Sequence, residues 1–291
     1  MPELSVGELT EIRARRPEAI AAAAAARPRR PRLGDDGRLM IVAADHPARG
    51  ALGVRGEPMA MASRVDLLDR LGAALARPGV DGVLGTPDVV EDLLLRGALD
   101  GKLVIGSMNR GGLQGAAFEL DDRFTAYDPA TLAAMGFDGG KMLCRIDLAD
   151  PGTAATLEGC GRAVTDLARR GLMALVEPFW SHRADGRVRN DLSAAAVIRS
   201  VHVAQGLGAT SAHTWLKLPV VPEMERVMAA TTLPTLLLGG DPTGRPDETY
   251  ATWKDALSLP SVRGLVVGRA LLYPPDGDVA TAVDTAVSLV R

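Results

Sequence analysis

The sequence predicts an α/β chain folded as a (β/α)8 TIM barrel with an extra N-terminal helix, and three observations predict it. The length of 291 residues accommodates the roughly 250 that such a barrel takes. From residue 38 onward, eight short runs rich in Val, Ile and Leu alternate with longer amphipathic stretches. The composition shows no shift along that alternation, so nothing in it divides the region into separate units. Short continuous apolar runs are the pattern of strands buried on both faces. Strand and helix alternating throughout imply a parallel sheet. Periodicity alone does not show closure, so a doubly wound open sheet is the competing architecture.

Taken in order, residues 5–26 read as one helix, with Ser5 as N-cap and an alanine run from Ala21 to Ala26. Arg27, Arg29, Arg30 and Arg32 follow, interleaved with Pro28 and Pro31. Four arginines in six residues raise an anion site, but a solvated connector between prolines is the favoured reading. Residues 1–33 are therefore expected as a helical extension and connector, and 34–291 as the barrel. A surplus helix packs under a barrel or against a neighbouring subunit, which hints at a homo-oligomer. The strand runs are RLMIVAA (38–44), DGVLG (81–85), KLVIG (102–106), KMLCRI (141–146), LMALVEP (172–178), TWLKLPV (214–220), PTLLLGG (234–240) and RGLVVGR (263–269). Helix-like stretches between them include 61–76, 153–170, 193–205 and 247–258. The connections 109–127, with Gly111, Gly112 and Gly115, and 181–191 are longer than the fold requires. Both follow strand ends, where barrel enzymes place their chemistry, and loops of that kind form lids or substrate walls.

Composition excludes several classes. Hydrophobic residues make up 47% of the chain, enough for a sizeable core, but aromatics only 3%, so Ala, Val and Leu supply the packing. The formal charge of −3 and the lack of basic stretches with stacking aromatics argue against nucleic acid. Apolar runs stop well short of the roughly 20 residues of a membrane span, and no leader pattern opens the chain. The expectation is a cytoplasmic protein with Cys144 and Cys160 as reduced thiols. No cofactor and no metal are expected, because His46, His182, His202 and His213 lack a ligand spacing.

Charges inside buried strands need an explanation, since a lone buried charge is expensive. Lys141 and Arg145 lie in the fourth run, Glu177 ends the fifth, Lys217 sits between Leu216 and Leu218 in the sixth, and Asp45 and His46 follow the first. Desolvation, with Lys141 and Arg145 nearby, is expected to lower the Lys217 pKa and leave a neutral amine able to attack a ketone. The plainer alternative is an ammonium that merely pairs with Glu177, and position alone does not choose between them. Glu177 is a candidate proton shuttle, or a structural partner of Lys141. Asp45 could contact substrate hydroxyls, or be a turn residue before Pro47, and His46 could be a packed loop residue. Gly239 and Gly240 end the seventh run, and Gly268 with Arg269 the eighth. Loops after these two strands often bind phosphate in barrels, and an arginine adds charge.

These motifs resemble the class I aldolase superfamily, most closely the branch of tagatose-bisphosphate and sulfofructose-phosphate aldolases. The resemblance runs from about Arg38 to Tyr273 through strand-end motifs. AADHPARGALG is similar to that branch's first-strand motif, with Asp45, Arg49 and Gly50 in its positions and Pro47 and Ala48 inserted between the halves. Lys141 stands at its strand-four lysine, Glu177 in ALVEPFWSH at its strand-five glutamate, and Lys217 in TWLKLPVVPEMERV at its Schiff-base lysine. LLLGGDP and LVVGRALL look like its phosphate-binding endings. The chain also resembles actinobacterial barrels labelled deoxyribose-phosphate aldolase and encoded among inositol-catabolism genes. The resemblance implies cleavage of a small phosphorylated ketose through an imine on Lys217. In the inositol setting the substrate would be 6-phospho-5-dehydro-2-deoxygluconate, giving dihydroxyacetone phosphate and malonate semialdehyde. Glu177, with Lys141 or a water, would take the hydroxyl proton, while Arg49, Arg145, Arg269 and the three glycines hold substrate and phosphate. Two other classes stay open: a sugar-phosphate isomerase or epimerase, and a non-catalytic barrel that binds a phosphorylated metabolite.

Overall fold

The computed structural model describes residues 4–240 and 245–291. The first helix, α1 (Val6–Arg15), starts at Ser5, whose hydroxyl accepts the Glu8 amide while the Glu8 carboxylate accepts the Ser5 N–H. Arg16 leaves helical geometry before Pro17, which has no N–H to give to the preceding turn, so α2 (Glu18–Ala26) is a separate helix. The single helix expected over 5–26 is thus two, and Leu9 and Ala24 bury their side chains in the main core.

The arginine–proline connector is not solvated as expected. Arg27 is buried and donates to the carbonyls of Lys102 at 2.5 Å and Gly136 at 3.0 Å. Arg30 pairs with Asp81, and Arg32 donates to the Gly171 carbonyl at 2.7 Å. Each partner lies just before a barrel strand, so the connector straps the N-terminal ends of four strands together.

The chain then runs β1 (Leu39–Ala43), a 3-10 turn (Pro47–Arg49), α3 (Arg64–Leu75), β2 (Gly82–Gly85), α4 (Pro87–Leu95), β3 (Leu103–Ser107), α5 (Pro129–Ala134), β4 (Gly139–Ile146) and α6 (Gly152–Ala168). It continues with β5 (Met173–Ala184), β6 (Arg187–Asn190), α7 (Ala194–Gln205), β7 (Thr214–Leu218), α8 (Met224–Met228), β8 (Thr235–Leu238), α9 (Pro246–Leu257), β9 (Val262–Val267), α10 (Arg269–Leu272) and α11 (Val279–Val290). All eight expected runs are strands. The helix expected from residue 61 starts later, at Arg64, where the Ser63 hydroxyl accepts the Asp66 amide.

Eight strands pair in parallel in the order β4-β3-β2-β1-β9-β8-β7-β5, and β4 pairing with β5 closes the barrel. Closure removes the open-sheet alternative. The connection 181–191, expected as a loop, is the extension of β5 folded back on β6 as an antiparallel hairpin. Its tip is Asp185-Gly186, both left-handed at φ 52° and 72°, the geometry of a tight turn whose twist matches the strands.

Alternation along the strands decides what faces the barrel interior. Leu39, Ile41, Leu103, Ile105, Leu175, Trp215, Leu236 and Val266 form one interior cluster, while Met40, Val42, Leu216 and Leu218 belong to the larger core beneath the helices. Lys217 lies between Leu216 and Leu218, so its side chain shares the interior with Trp215. Glu177 follows Leu175 inward by the same parity. Cys144 and Cys160 are free thiols, both buried. Among the described residues, no helix is long and apolar enough to cross a membrane.

Candidate active site

At the C-terminal end of the strands the interior opens into a cavity of about 430 Å³. Register explains its floor. Glu177 and Lys217 sit one residue beyond the paired Val176 and Leu216, at equal height on adjacent strands. Lys141 lies opposite Leu175, a step lower on β4, so its long side chain rises toward them. The Glu177 carboxylate takes Lys217 Nζ on Oε1 at 2.9 Å and Lys141 Nζ on Oε2. Lys141 Nζ is also 3.3 Å from Asp45 Oδ2. Asp45 Oδ2 in turn pairs with Arg110 and accepts the Ser107 hydroxyl at 3.1 Å. The result is a row of alternating charge across the floor: Arg110, Asp45, Lys141, Glu177, Lys217.

This row has the energetics of a desolvated network, in which each charge is tolerated because neighbours of opposite sign surround it. Burial pushes the Glu177 carboxyl upward, but the two ammonium groups outweigh burial and hold it well below the usual carboxylate range. Burial lowers the Lys217 pKa, Arg110 and Arg269 lower it further, and Glu177 opposes them. Arg110 and Arg269 lead among the assisting cations, the expected Lys141 repels Lys217 as well, and Arg145 is not among the leading groups. Lys141 is lowered well below its ordinary value, by burial first and then by Arg110 and Lys217. Both amines are therefore displaced toward the neutral form that nucleophilic attack needs.

The four expected catalytic residues, Lys217, Glu177, Lys141 and Asp45, come together. Arg49, Arg145, Gly239, Gly240, Gly268 and Arg269 all line the same cavity. Arg145, expected to hold substrate, gives its guanidinium to protein carboxylates. Its Nη2 is 2.6 Å and its Nε 2.9 Å from Asp122, and Nη1 is 3.5 Å from Glu119. It therefore anchors the 109–127 connection over the cavity. Arg49 stands nearby, with Nη1 3.9 Å from Glu119. Gly268 is required by packing, because a Cβ there would lie 2.3 Å from the Ala43 carbonyl oxygen. Asp241 and Pro242 of the seventh-run motif lie outside the described residues.

Sequence reasoning missed Arg110, Ser107, Glu119 and the hairpin residues Val188 and Asn190 that wall the cavity. The signal for Arg110 was available: a cation and two glycines directly after a strand, in Asn109-Arg110-Gly111-Gly112. Among the described residues, no three His, Cys, Asp or Glu side chains converge as a metal-ligand group.

The profile of a family described as Cgl0159-like matches residues 37–287. The chain belongs to the Cgl0159-like family. The crystal structure of Cgl0159 from Corynebacterium glutamicum (Brevibacterium flavum) is 56% identical to it, covers 99% of both chains and superposes with a TM-score of 0.96. The Cgl0159-like barrel also shares its fold with more distant structures. A Schiff-base-forming fructose-1,6-bisphosphate aldolase is 20% identical over 89% of this chain and 96% of its own, with a TM-score of 0.66. An archaeal fructose-1,6-bisphosphate aldolase, with its catalytic lysine covalently bound to a carbinolamine intermediate, is 18% identical over the same shares, also at 0.66. The fructose-bisphosphate aldolase of Slackia heliotrinireducens DSM 20476 is 16% identical over 99% of this chain and 91% of its own, with a TM-score of 0.62. None of the curated proteins matches the chain.

Proposed function

We propose that this Cgl0159-like protein is a class I aldolase that makes or breaks a carbon–carbon bond of a small phosphorylated ketose through an imine on Lys217. One observation carries the reading. A buried lysine inside the barrel, displaced toward its neutral form, stands 2.9 Å from a carboxylate at the floor of a polar cavity. Binding a phosphorylated metabolite does not need such a lysine, and proton transfer alone does not need its nucleophilicity. The shared fold with Schiff-base-forming aldolases supports the same reading.

In this mechanism Lys217 attacks the ketone carbon, and the carbinolamine loses water to give an iminium ion. Glu177, within hydrogen-bond distance of the attacking nitrogen, exchanges the protons of those steps. The iminium accepts the electron pair of the breaking carbon–carbon bond as an enamine, and an aldehyde departs. Protonation of the enamine and hydrolysis of the imine return the free lysine. In this reading the phosphate is received by Arg269, which lines the cavity with Gly239, Gly240 and Gly268. The substrate that best joins this chemistry to the sequence resemblance is 6-phospho-5-dehydro-2-deoxygluconate, cleaved to dihydroxyacetone phosphate and malonate semialdehyde. The small substrate is the partner the site requires, and the reading assigns no role to an added cofactor. The test is turnover of that compound beside other ketose phosphates by wild type and Lys217→Met. The expected result is aldehyde release by wild type and none above background for the variant. A variant with normal turnover contradicts the mechanism, and cleavage of only another ketose phosphate contradicts the substrate.

A further inference from the structure

Among the described residues, the carboxylates that line the cavity are all engaged. Glu177 has one oxygen on each lysine. Asp45 Oδ2 takes Ser107, Lys141 and Arg110. Glu119 faces Arg145 and Arg49, and accepts the Gly115 amide at 2.8 Å. An acid held by two or three cations is a weak base, because accepting a proton forfeits those pairs. Yet cleavage of the carbon–carbon bond needs a base for the hydroxyl proton and an acid to return a proton to the enamine carbon.

His46 differs from these carboxylates in that its ring nitrogen Nδ1 is not engaged by a hydrogen-bond partner among the described residues. It is the first residue after Asp45 and leads into the Pro47–Arg49 turn, with the Arg49 amide donating to its carbonyl at 3.2 Å. That backbone bond and Pro47 fix where the ring starts. The ring packs toward Gly268, where a Cβ would come within 3.2 Å of its Cε1. Nδ1 is buried, has no hydrogen-bond partner among the described residues and lies 3.9 Å from Asp45 Oδ1. About 24% of the side chain stays exposed, and the residue lines the cavity. The charged groups around it are Asp45 after β1, Lys141 on β4, Glu177 on β5, Lys217 on β7 and Arg269 after β9. Burial lowers its pKa, three of these cations lower it further, and Glu177 opposes them, so the ring is neutral near pH 7.

We propose that His46 is the group that carries the proton of carbon–carbon cleavage, with Nδ1–H directed at Asp45 and Nε2 facing the substrate. The proposal rests on the imine chemistry of Lys217 and replaces Glu177 in one role only. As the bond breaks, its electron pair passes to the iminium, and Nε2 takes the hydroxyl proton of the departing aldehyde. The imidazolium, steadied by Asp45, then gives that proton to the enamine carbon. The ring ends neutral as it began, and no oxidant or further reactant enters.

Dihydroxyacetone phosphate separates the two steps. Borohydride trapping on Lys217 reports imine formation. Exchange of the hydroxymethyl-carbon hydrogen for deuterium in heavy water reports proton transfer at the enamine carbon. Wild type is expected to do both. H46N is expected to keep the Lys217 adduct and lose exchange by about a hundredfold or more, the scale of a general acid–base group. Free imidazole is expected to restore part of the exchange in H46A, and E177Q is expected to lose the adduct itself. H46N exchanging at the wild-type rate while still forming the adduct overturns the proposal and returns the proton to Glu177 or Lys141. No adduct in wild type overturns the imine reading, and this proposal with it. If H46N fails to form the adduct, H46A with imidazole decides: restored exchange supports the assignment, and an adduct without rescue overturns it.

Discussion

The two ends of the barrel use the same residue types for opposite purposes. At the N-terminal end Arg27 spends its guanidinium on backbone carbonyls, and Asp81 accepts the Met40 amide at 2.7 Å while pairing with Arg30 and Arg291. Those charges close loops onto strands and bring the arginine–proline connector and Arg291 to the same face. At the C-terminal end, Asp45 just beyond β1 and the charges on β4, β5 and β7 pair with one another around open volume. The contrast locates function without reference to any relative: at one end the charges tie connections to strands, whereas at the other they surround open volume.

Substitutions at the two ends should separate these purposes. The largest expected effect is at Asp45. Asp45→Ala leaves Arg110 and Lys141 buried without their shared carboxylate, and is expected to cost about 3–5 kcal/mol in denaturant unfolding, together with loss of turnover. At the other end, Arg27→Ala removes a charged donor from two carbonyls and is expected to cost about 2–3 kcal/mol. Turnover per folded molecule should stay at the wild-type level. A loss of turnover in a folded Arg27→Ala protein would break the contrast.

A pH series sharpens it more gently. The folded protein holds the Glu177 carboxyl below its ordinary value, so the unfolded chain binds that proton first as pH falls. The stability it contributes is complete above about pH 4.3 and declines below it. Lys141 and Lys217 are lowered from about 10.4. Over the interval below that value the unfolded chain again binds more protons, so stability rises with pH. Denaturation midpoints should therefore climb on both limbs, and Glu177→Gln should flatten the acid one. An unchanged acid limb in that variant contradicts the assignment.

Most of the barrel was legible because parallel strands buried on both faces leave unbroken apolar runs, and each of the eight expected runs is a strand. Lys217 and Glu177 were legible for the same reason, since a charge inside such a run is conspicuous. Connections hid more. The Asp185-Gly186 turn carries a recognisable hairpin signal, yet flanking arginines and a single Val188 gave no apolar alternation to mark β6. The break at Pro17 followed from proline chemistry and was masked by the alanine run beyond it. Arg27 looked solvated because a guanidinium between prolines gives no hint of the three-dimensional carbonyls it reaches, 75 and 109 residues away in the chain. Arg110 and the engagement of Arg145 by Asp122 and Glu119 depend on how the 109–127 connection folds back, which spacing does not encode.

The most direct test of the Schiff-base reading is borohydride reduction in the presence of dihydroxyacetone phosphate and a set of ketose phosphates, followed by intact mass and peptide mapping. A mass gain on Lys217, absent from Lys217→Met, is the predicted result. A folded protein that gains no adduct with any of these ligands, or gains it on another lysine, would contradict the account.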